Sequence, residues 1–347
     1  MARKRLVGPQ PVDIEEEGLL ARLRPRYLNE CIGQKEVVSR LRIAIEAAQQ
    51  RNEPLDHVLF YGPPGLGKTT FAFVVAQELG VDITTSVAPA LERAGDVMGY
   101  LISLKRSEVF FVDEIHRLSR QVEEFLYGIM DTYTVDFNMG NRVGIKPTRF
   151  DFSAFTLIGA TTRAGNLTRP LRERFGIRLR LDFYNTDDLV TIIKRSADLL
   201  DVPVDHPGAV EIAQRSRGTP RIANRLLRRV RDYAEVKANA QVTKSTANEA
   251  LILEGVDEIG LDALDRSYLE AIVTEYGGGP VGVDALAALL HEDTNTLEEM
   301  VEPFLLKIGF VQRTAQGRFA THKVYAHLNI SPPDGKVPQG GLFENEN

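Results

Sequence analysis

The 347-residue sequence has one cysteine, no tryptophan and six scattered histidines. Because Cys31 has no partner, no disulfide can form within the chain, and a reducing compartment such as the cytoplasm is the expected location. The histidines do not occur at the spacing of a structural metal site, so none is predicted.

The sequence also lacks long uncharged runs and an excess of positive charge. No stretch of about 18 uncharged apolar residues occurs, so no transmembrane helix is predicted. The acidic Asp13 follows the basic N-terminus at the place where a secretion signal would have an apolar segment, so no secretion signal is predicted. With a formal net charge of -6, the protein is not expected to coat nucleic acid by global attraction, but a local basic surface can still bind phosphate.

A phosphate-binding motif is present at residues 62–70, GPPGLGKTT, between an apolar run and a helical pattern. It fits the P-loop pattern G-x-x-x-x-G-K-[ST], in which glycines let backbone N–H groups turn toward phosphate oxygens at a helix start. Lys68 is predicted to reach the β- and γ-phosphates, and Thr69 to ligate Mg²⁺. The motif therefore predicts that the protein binds ATP and Mg²⁺.

A pair of carboxylates follows the apolar strand predicted at 109–112. Ligands of open α/β sheets bind at the carboxyl ends of the strands, which is where Asp113 and Glu114 would lie. Asp113 is predicted to hold the Mg²⁺ shell, and Glu114 to orient a water for attack on the γ-phosphate.

Three further signals are weaker, and the first two have an ordinary structural explanation. Thr161 and Thr162 end an apolar strand and could place a hydroxyl near the γ-phosphate, but a threonine there is more often a cap. Arg174 could neutralise charge on a transferred phosphoryl group, although such arginines are usually solvated or paired. Arg221 lies in the first turn of a predicted helix, where an arginine opposes the helix dipole, and this favours a phosphate ligand.

Apolar strands alternate with helical patterns as far as Phe183, which predicts an α/β domain with a mainly parallel sheet. A set of helices follows, and then three short helices and a glycine-centred hairpin that are typical of a winged helix. The expected segments are a flexible arm at 1–17, a large P-loop domain at 18–183, a small helical domain at 184–256, a winged helix at 257–333 and a disordered tail at 334–347.

Basic residues are concentrated around the predicted hairpin at 310–321. Residues 301–330 include Arg313 and Arg318 with two lysines, against the single acid Glu302. Such a hairpin suits phosphate contacts along a DNA groove, but charges that only keep a hairpin soluble explain the pattern equally well.

Taken together, these motifs come in the order found in AAA+ ATPases, and their sequences resemble more closely the RuvB family of bacterial Holliday-junction branch-migration motors. The resemblance covers about residues 19–333. It rests on the P-loop, on DEIHRL at 113–118, on LIGATTRAG at 157–165, on the segment 217–237 and on GGPVG at 278–282.

The resemblance implies a role for each matching position. Thr162 matches sensor 1, Arg221 matches sensor 2, and Arg174 matches the arginine finger that acts on a neighbouring subunit's ATP. Arg313 and Arg318 match wing residues that touch DNA. The positions that match the nucleotide pocket are Leu23, Arg24, Gly65, Gly67, Lys68, Thr69, Thr70, Asp131, Thr132, Tyr133, Arg174, Tyr184 and Arg221.

The resemblance further implies an AAA+ core followed by a helical lid and a winged helix, assembled as a homohexameric ring on duplex DNA. Such a ring drives branch migration of four-way junctions in recombination and repair. It docks on RuvA through the hairpin at 134–152, with RuvC as a further partner. The sequence departs from the family at the hairpin tip and at Asp131-Thr132, where members usually have an acid pair.

Two alternatives belong to different functional classes. Another AAA+ DNA machine, such as a clamp-loader subunit or a replication initiator, would share the nucleotide motifs but not this winged helix. A winged-helix DNA-binding regulator that uses ATP as a switch is the second alternative, and the intact pair of Asp113 and Glu114 argues against it.

Overall fold

A computed structural model of the protein describes residues 18, 21–137 and 148–331. The chain divides into one compact unit at Ala21–Tyr184 and a second that includes the chain from Asn185 onward. The predicted arm at 1–17, the predicted tail at 334–347 and the tip of the predicted hairpin lie outside the described residues.

The first unit contains a five-stranded sheet in which every pairing is parallel, as predicted. The strands of this unit are β1 (Val58–Tyr61), β2 (Ile83–Val87), β3 (Val109–Asp113), β4 (Thr134–Phe137), β5 (Thr148–Asp151), β6 (Thr156–Thr161) and β7 (Ile177–Arg180). The sheet order is β2-β3-β6-β1-β7, so the P-loop strand β1 lies between β6 and β7. This order brings the carboxyl ends of β1, β3 and β6 to one edge.

Apolar cores cover both faces of the sheet, which explains the continuous apolar runs in its strands. Along β1, Val58 and Phe60 face one core and Leu59 faces the other. The helices of the unit are α1 (Lys35–Arg51), α2 (Lys68–Leu79), α3 (Ala94–Ser103), α4 (Arg120–Thr132) and α5 (Arg169–Glu173). Helices α1 and α2 pack on the first face, and α3 and α4 on the second.

Strands β4 and β5 form a separate antiparallel pair within the segment 134–152, which the sequence predicts as a hairpin. Thr134 pairs with Asp151, and the pairing continues to Phe137 opposite Thr148. The segment that connects the two strands is not among the described residues.

The second unit begins with four helices, which confirm the predicted helical lid. They are α6 (Thr186–Leu199), α7 (His206–Arg215), α8 (Pro220–Lys237) and α9 (Lys244–Leu253). Side-chain caps set several of their starts, because Asn185 accepts from the Asp188 N–H and Asp205 from the Gly208 N–H.

The predicted winged helix is also confirmed. Its elements are α10 (Ala263–Glu270) with a π-helical turn (Ala271–Glu275), α11 (Val283–Leu290), α12 (Thr294–Thr296), a second π-helical turn (Leu297–Val301), α13 (Glu302–Lys307), β8 (Val311–Thr314), β9 (Gly317–Ala320) and α14 (His322–Leu328). Helix α14 was not predicted. Across the part of the chain that the structure describes, no helix is long and apolar enough to cross a membrane.

Candidate functional site

The P-loop turns through glycine conformations that other residues rarely adopt. Its glycines with positive φ are Gly62 at 139°, Gly65 at 81° and Gly67 at 100°. At Gly62 a Cβ would collide with the carbonyl oxygen of Leu181. Helix α2 begins at Lys68, directly after Gly67, and contains Thr69 and Thr70 in its first turn. Backbone N–H groups in such a loop and at such a helix start bind phosphate, so the loop fits a nucleotide.

The ammonium group of Lys68 is held over the loop. Its Nζ donates to the carbonyl oxygens of Gly62 at 2.8 Å and Pro63 at 2.9 Å. The residue is buried, so this positive charge lies at the loop and not in solvent. Burial is the largest influence on the pKa values of Asp113 and Glu114 and raises both, and the charge of Lys68 acts on each in the opposite direction.

Thr69 and Asp113 meet at the carboxyl end of β3. The Thr69 hydroxyl donates to Asp113 Oδ2 at 3.2 Å, and the Glu114 N–H donates to Asp113 Oδ1 at 2.9 Å. Burial raises the pKa of Asp113, and the Glu114 N–H partly opposes that rise. Hydroxyl and carboxylate oxygens are the ligands that Mg²⁺ prefers, so this pair fits the predicted magnesium ion.

Glu114 follows Asp113 in a left-handed backbone conformation, with φ of 49°. A non-glycine residue in this region costs about 1–3 kcal/mol, a strain that proteins concentrate at functional sites. Its Oε2 accepts from the hydroxyl of Thr162 at 3.1 Å and from the N–H of the same residue at 3.4 Å. The structure therefore brings the predicted water-orienting carboxylate and the predicted sensor 1 together.

The pKa of Glu114 is lower than usual even though the group is partly buried. Burial raises the pKa, but a hydrogen bond from His116, the charge of Lys68 and the Thr162 hydroxyl together outweigh it. The group is therefore an ionised carboxylate at neutral pH, which is the form that can accept a hydrogen bond from water.

Three predicted pocket residues lie in the first unit, and two of them contact α2 or the P-loop. Leu23 is buried, and the Arg24 guanidinium lies 5.2 Å from the ring centroid of Phe73 on α2. The Tyr184 hydroxyl donates to the carbonyl oxygen of Leu66, within the P-loop, at 3.4 Å. Tyr184, the last residue of the first unit, thus contacts the P-loop.

Arg174, the predicted arginine finger, is held by its own chain. Its Nη2 and Nε donate to Asp131 Oδ2 at 2.7 and 3.0 Å, and Nη1 donates to the Pro170 carbonyl at 3.0 Å. The guanidinium also lies 4.7 Å from the ring centroid of Tyr127. Asp131, predicted as a pocket residue, is therefore a partner of the finger in this structure.

The two residues after Asp131 make contacts within the first unit. The Thr132 hydroxyl donates to the Gly128 carbonyl at 2.9 Å, within the last turn of α4. The Tyr133 ring packs edge-on against Phe155, with centroids 5.8 Å apart. Contact of either residue with a nucleotide stays a prediction.

Arg221 lies in the second unit, in the first turn of α8, after the left-handed Gly218 and the N-cap Thr219. It is half-buried. Its predicted contact with phosphate as sensor 2 also stays a prediction.

The two wing arginines differ in exposure, a difference that the sequence did not predict. The Arg318 side chain is 8% exposed, and its guanidinium donates to Glu302 Oε1 at 2.8 Å and to Glu298 Oε1 at 3.0 Å. The Tyr268 hydroxyl donates to the same Glu302 oxygen at 2.9 Å. Arg313, directly opposite Arg318 in the hairpin, is 50% exposed and pairs with Glu298 at 2.6 Å. Arg313 is thus presented to solvent, whereas Arg318 is committed to an internal ion pair.

Two residues beside Glu114 were not predicted as site residues. His116 Nδ1 lies 3.2 Å from Glu114 Oε2 and 2.9 Å from the Thr161 hydroxyl oxygen. The spacing of His116, two residues after the catalytic candidate, was a visible signal. The sequence indicates Thr161 together with Thr162 as a source of a hydroxyl near the γ-phosphate, but its contact with His116 was not predicted.

Comparison with known proteins identifies the family. Models described as the Holliday junction DNA helicase RuvB P-loop domain, the RuvB AAA lid domain and the RuvB C-terminal winged helix domain match residues 23–181, 184–257 and 258–329. The chain belongs to the RuvB family. This membership confirms the AAA+ core, lid and winged helix that the resemblance implied.

Solved structures of RuvB are similar over most of the chain. A Thermotoga maritima RuvB described as a Holliday junction branch migration motor is 46% identical, with a TM-score of 0.82, covering 90% of this chain and 100% of that one. A variant of the same protein is 47% identical, with a TM-score of 0.83, covering 90% and 99%. As a RuvB-family member, the protein is an ATP-dependent DNA helicase.

Proposed function

We propose that the protein is the ATP-driven motor that moves four-way DNA junctions during recombination and repair. The observation that carries this proposal is the meeting of Lys68, Thr69, Asp113, Glu114 and Thr162 at one edge of the sheet in a chain of the RuvB family. The clamp-loader, initiator and regulator alternatives lack this support, because the family match extends through the lid and the winged helix.

Hydrolysis is an in-line attack of water on the γ-phosphate of ATP. Lys68 and the P-loop N–H groups hold the phosphates, and Thr69 with Asp113 would hold Mg²⁺, which neutralises phosphate charge when bound. Glu114 orients the attacking water through its ionised carboxylate. Thr162 holds Glu114 and senses the γ-phosphate as sensor 1.

The remaining nucleotide contacts belong to residues around the loop. Leu23, Arg24 and Tyr184 line the pocket, which the contacts of Arg24 with Phe73 and of Tyr184 with Leu66 support for two of the three. Gly65, Gly67 and Thr70 complete the phosphate cradle, and Arg221 acts as sensor 2. We assign the lid to 184–256 and the winged helix to 257–333.

The working form is a homohexameric ring in the cytoplasm. Arg174 acts in trans on the ATP of the neighbouring subunit, and the segment of Asp131, Thr132 and Tyr133 lies at the same interface. The ion pair between Arg174 and Asp131 supports this shared location. Each site is then complete only in the assembly.

Partner and DNA contacts belong to two hairpins. The segment 134–152, of which β4 and β5 are described, docks on RuvA, and RuvC acts with the same complex. In the wing, Arg313 contacts the DNA backbone. Arg318 orients the wing through Glu302, a role that its burial favours over direct DNA contact.

The test of the proposal is ATP hydrolysis by the purified full-length protein with duplex DNA present. The unmodified protein should hydrolyse ATP in a Mg²⁺-dependent manner, and Lys68→Ala should abolish turnover because the phosphates lose their ammonium partner. Lys105→Ala, which changes an exposed lysine outside the site, is the matched control and should hydrolyse normally. Turnover that survives Lys68→Ala would contradict the proposal.

A further inference from the structure

We propose that His116 is a positioning residue that fixes the orientation of the Glu114 carboxylate for hydrolysis. The inference deepens the proposed function and rests on it, since it assumes that Glu114 orients the attacking water. It assigns to His116 a role that acts through Glu114 and not through contact with the nucleotide.

The contacts of the imidazole carry the argument. His116 belongs to a 3₁₀ turn (Ile115–Arg117) that follows Glu114, and its side chain is 8% exposed. Nδ1 lies 3.2 Å from Glu114 Oε2 and 2.9 Å from the Thr161 hydroxyl oxygen. The ring is therefore held between the end of β3 and the end of β6.

The neighbours of Nδ1 decide where the proton lies. A carboxylate oxygen accepts hydrogen bonds, so the 3.2 Å contact with Glu114 Oε2 is a hydrogen bond in the form of His116 in which Nδ1 carries hydrogen. The Thr161 oxygen also accepts the Arg163 N–H at 3.0 Å. The arrangement is satisfied when the Nδ1–H of His116 is shared between Glu114 Oε2 and the Thr161 oxygen.

The hydrogen bonds to Glu114 have a common direction. Within the described part of the chain, the side-chain contacts of this carboxylate are with His116 and with the N–H and hydroxyl of Thr162, and all three fall on Oε2. The other oxygen, Oε1, is left to accept a hydrogen bond from water. Donors on one oxygen thus define which way the second oxygen points.

Removal of the His116 imidazole should let the Glu114 carboxylate rotate more freely. The carboxylate group of a glutamate turns easily about its last torsion, and a misplacement of about 1 Å can cost on the order of 100-fold in rate. Thr162 alone would hold Oε2 from the β6 side, with no tether from the turn that follows β3. Nucleotide binding depends on other residues and should not change.

Three substitutions of His116 separate positioning from packing. His116→Asn keeps an N–H donor at the place of Nδ1, because the asparagine amide nitrogen is equally far from Cα. His116→Gln carries its donor one bond farther from Cα, at the place of Nε2 and away from that of Nδ1. His116→Ala removes both donors, and the pair of Asn and Gln variants decides the question if the Ala variant does not fold.

The readouts are kcat and KM for ATP, the dissociation constant of ADP and the melting temperature of the full chain. We expect Ala and Gln to lower kcat roughly 10- to 100-fold, with the ADP dissociation constant within about 2-fold of the unmodified value. Asn should restore kcat to within about 3-fold. Normal kcat in the Ala or Gln variant would overturn the inference.

Equal losses in the Asn and Gln variants would also overturn it, because they would indicate packing and not a donor at Nδ1. The same holds if the kcat loss follows a fall in melting temperature or a weaker affinity for ADP. Absence of hydrolysis in the unmodified protein would instead contradict the proposed function. Normal hydrolysis that Glu114→Gln abolishes, with His116→Gln fully active, would contradict the inference alone.

Discussion

Glu114 is the side chain on which the proposed chemistry depends, and its surroundings keep it ionised. Its backbone is held in a left-handed conformation, and donors from Thr162 and His116 fall on one carboxylate oxygen. Burial alone would raise the pKa and favour the protonated acid, which cannot polarise water. The neighbouring donors and Lys68 reverse that effect.

Replacing this carboxylate with an amide should remove hydrolysis and retain binding. In Glu114→Gln the shape and one acceptor oxygen remain, but the negative charge that polarises water is lost. We expect kcat to fall by about 100-fold or more with little change in ATP affinity. Steady-state ATPase rates and nucleotide titrations measure the two quantities.

The matched control is Glu124→Gln on helix α4, where the glutamate is exposed and pairs with Arg120. This variant should hydrolyse ATP at the unmodified rate. A Glu114→Gln variant that is as active as the control would show that another group orients the water.

At the residue scale, the sequence predicts the side chains that belong to contiguous motifs. Lys68, Thr69, Asp113 and Glu114 could be predicted because each motif fixes its own spacing. His116 and Thr161 could not be paired from the sequence, since their contact depends on β3 and β6 being neighbours in the sheet. The burial of Arg318 was equally inaccessible, because it depends on Glu302 from a different element.

At the scale of elements, the wing is attached to helix α13 by charges that are removed from solvent. Glu302 is 1% exposed and receives hydrogen bonds from Arg318 and Tyr268, while Arg313 lies on the exposed side of the same hairpin. The two arginines should therefore respond differently to the same substitution.

Arg313→Gln should weaken DNA binding without destabilising the protein. If Arg313 neutralises one phosphate, the slope of log K against log salt concentration should become shallower by about 1. Arg318→Gln should instead lower stability by about 3 kcal/mol, because the buried Glu302 loses the guanidinium that hydrogen-bonds it and keeps the more distant Arg313 Nη1 at 3.8 Å.

Salt-dependent DNA titrations and denaturation curves measure the two effects. A stable Arg318→Gln variant with a shallower salt slope would restore Arg318 as a DNA-contacting residue. An Arg313→Gln variant with an unchanged slope would remove Arg313 from the DNA surface.

A buried ion pair joins the segment before α8 to α10. Arg217 donates to Asp265, the two side chains are 2% and 0% exposed, and Arg217 Nε also donates to the Gly260 carbonyl at 2.7 Å. Asp265→Asn removes a buried charge that faces Arg217 and should lower the free energy of unfolding by about 3 kcal/mol.

Glu235→Gln is the control, because it removes an exposed pair with Arg231 and should cost less than about 1 kcal/mol. Chemical denaturation followed by circular dichroism compares the two variants. Equal stabilities would mean that the pair between Arg217 and Asp265 contributes little.

Element types were more predictable than element ends. The helix Pro220–Lys237 has Arg221 in its first turn as predicted, since Thr219 and Pro220 define its start locally. Helix α14 was missed because its seven residues bury only Val324 and Tyr325, too few for a clear pattern. The π-helical turns after α10 and α12 have no sequence signal of their own.

At the scale of the whole molecule, the proposed ring makes each active site a shared one. Arg174 is held by Asp131 and Pro170 of its own chain, at the surface that would face a neighbour's ATP. Subunits that lack the finger can then still bind ATP, and subunits that lack Lys68 can still supply a finger.

Mixing Arg174→Ala with Lys68→Ala subunits should therefore restore part of the ATPase activity that each variant lacks alone. The restored sites are those where an intact P-loop meets an intact finger. ATPase rates across mixing ratios, with refolded or exchanged subunits, test this directly. Mixtures as inactive as either parent would contradict a finger that acts in trans.

The central claim is that ATP hydrolysis at the P-loop moves DNA held by the assembly. The most direct measurement is migration of a synthetic four-way junction, followed by strand separation on a gel, with and without ATP and with and without RuvA. We expect migration that requires ATP and Lys68 and that RuvA stimulates. Robust ATP hydrolysis with no movement of the junction, even with RuvA present, would contradict the account.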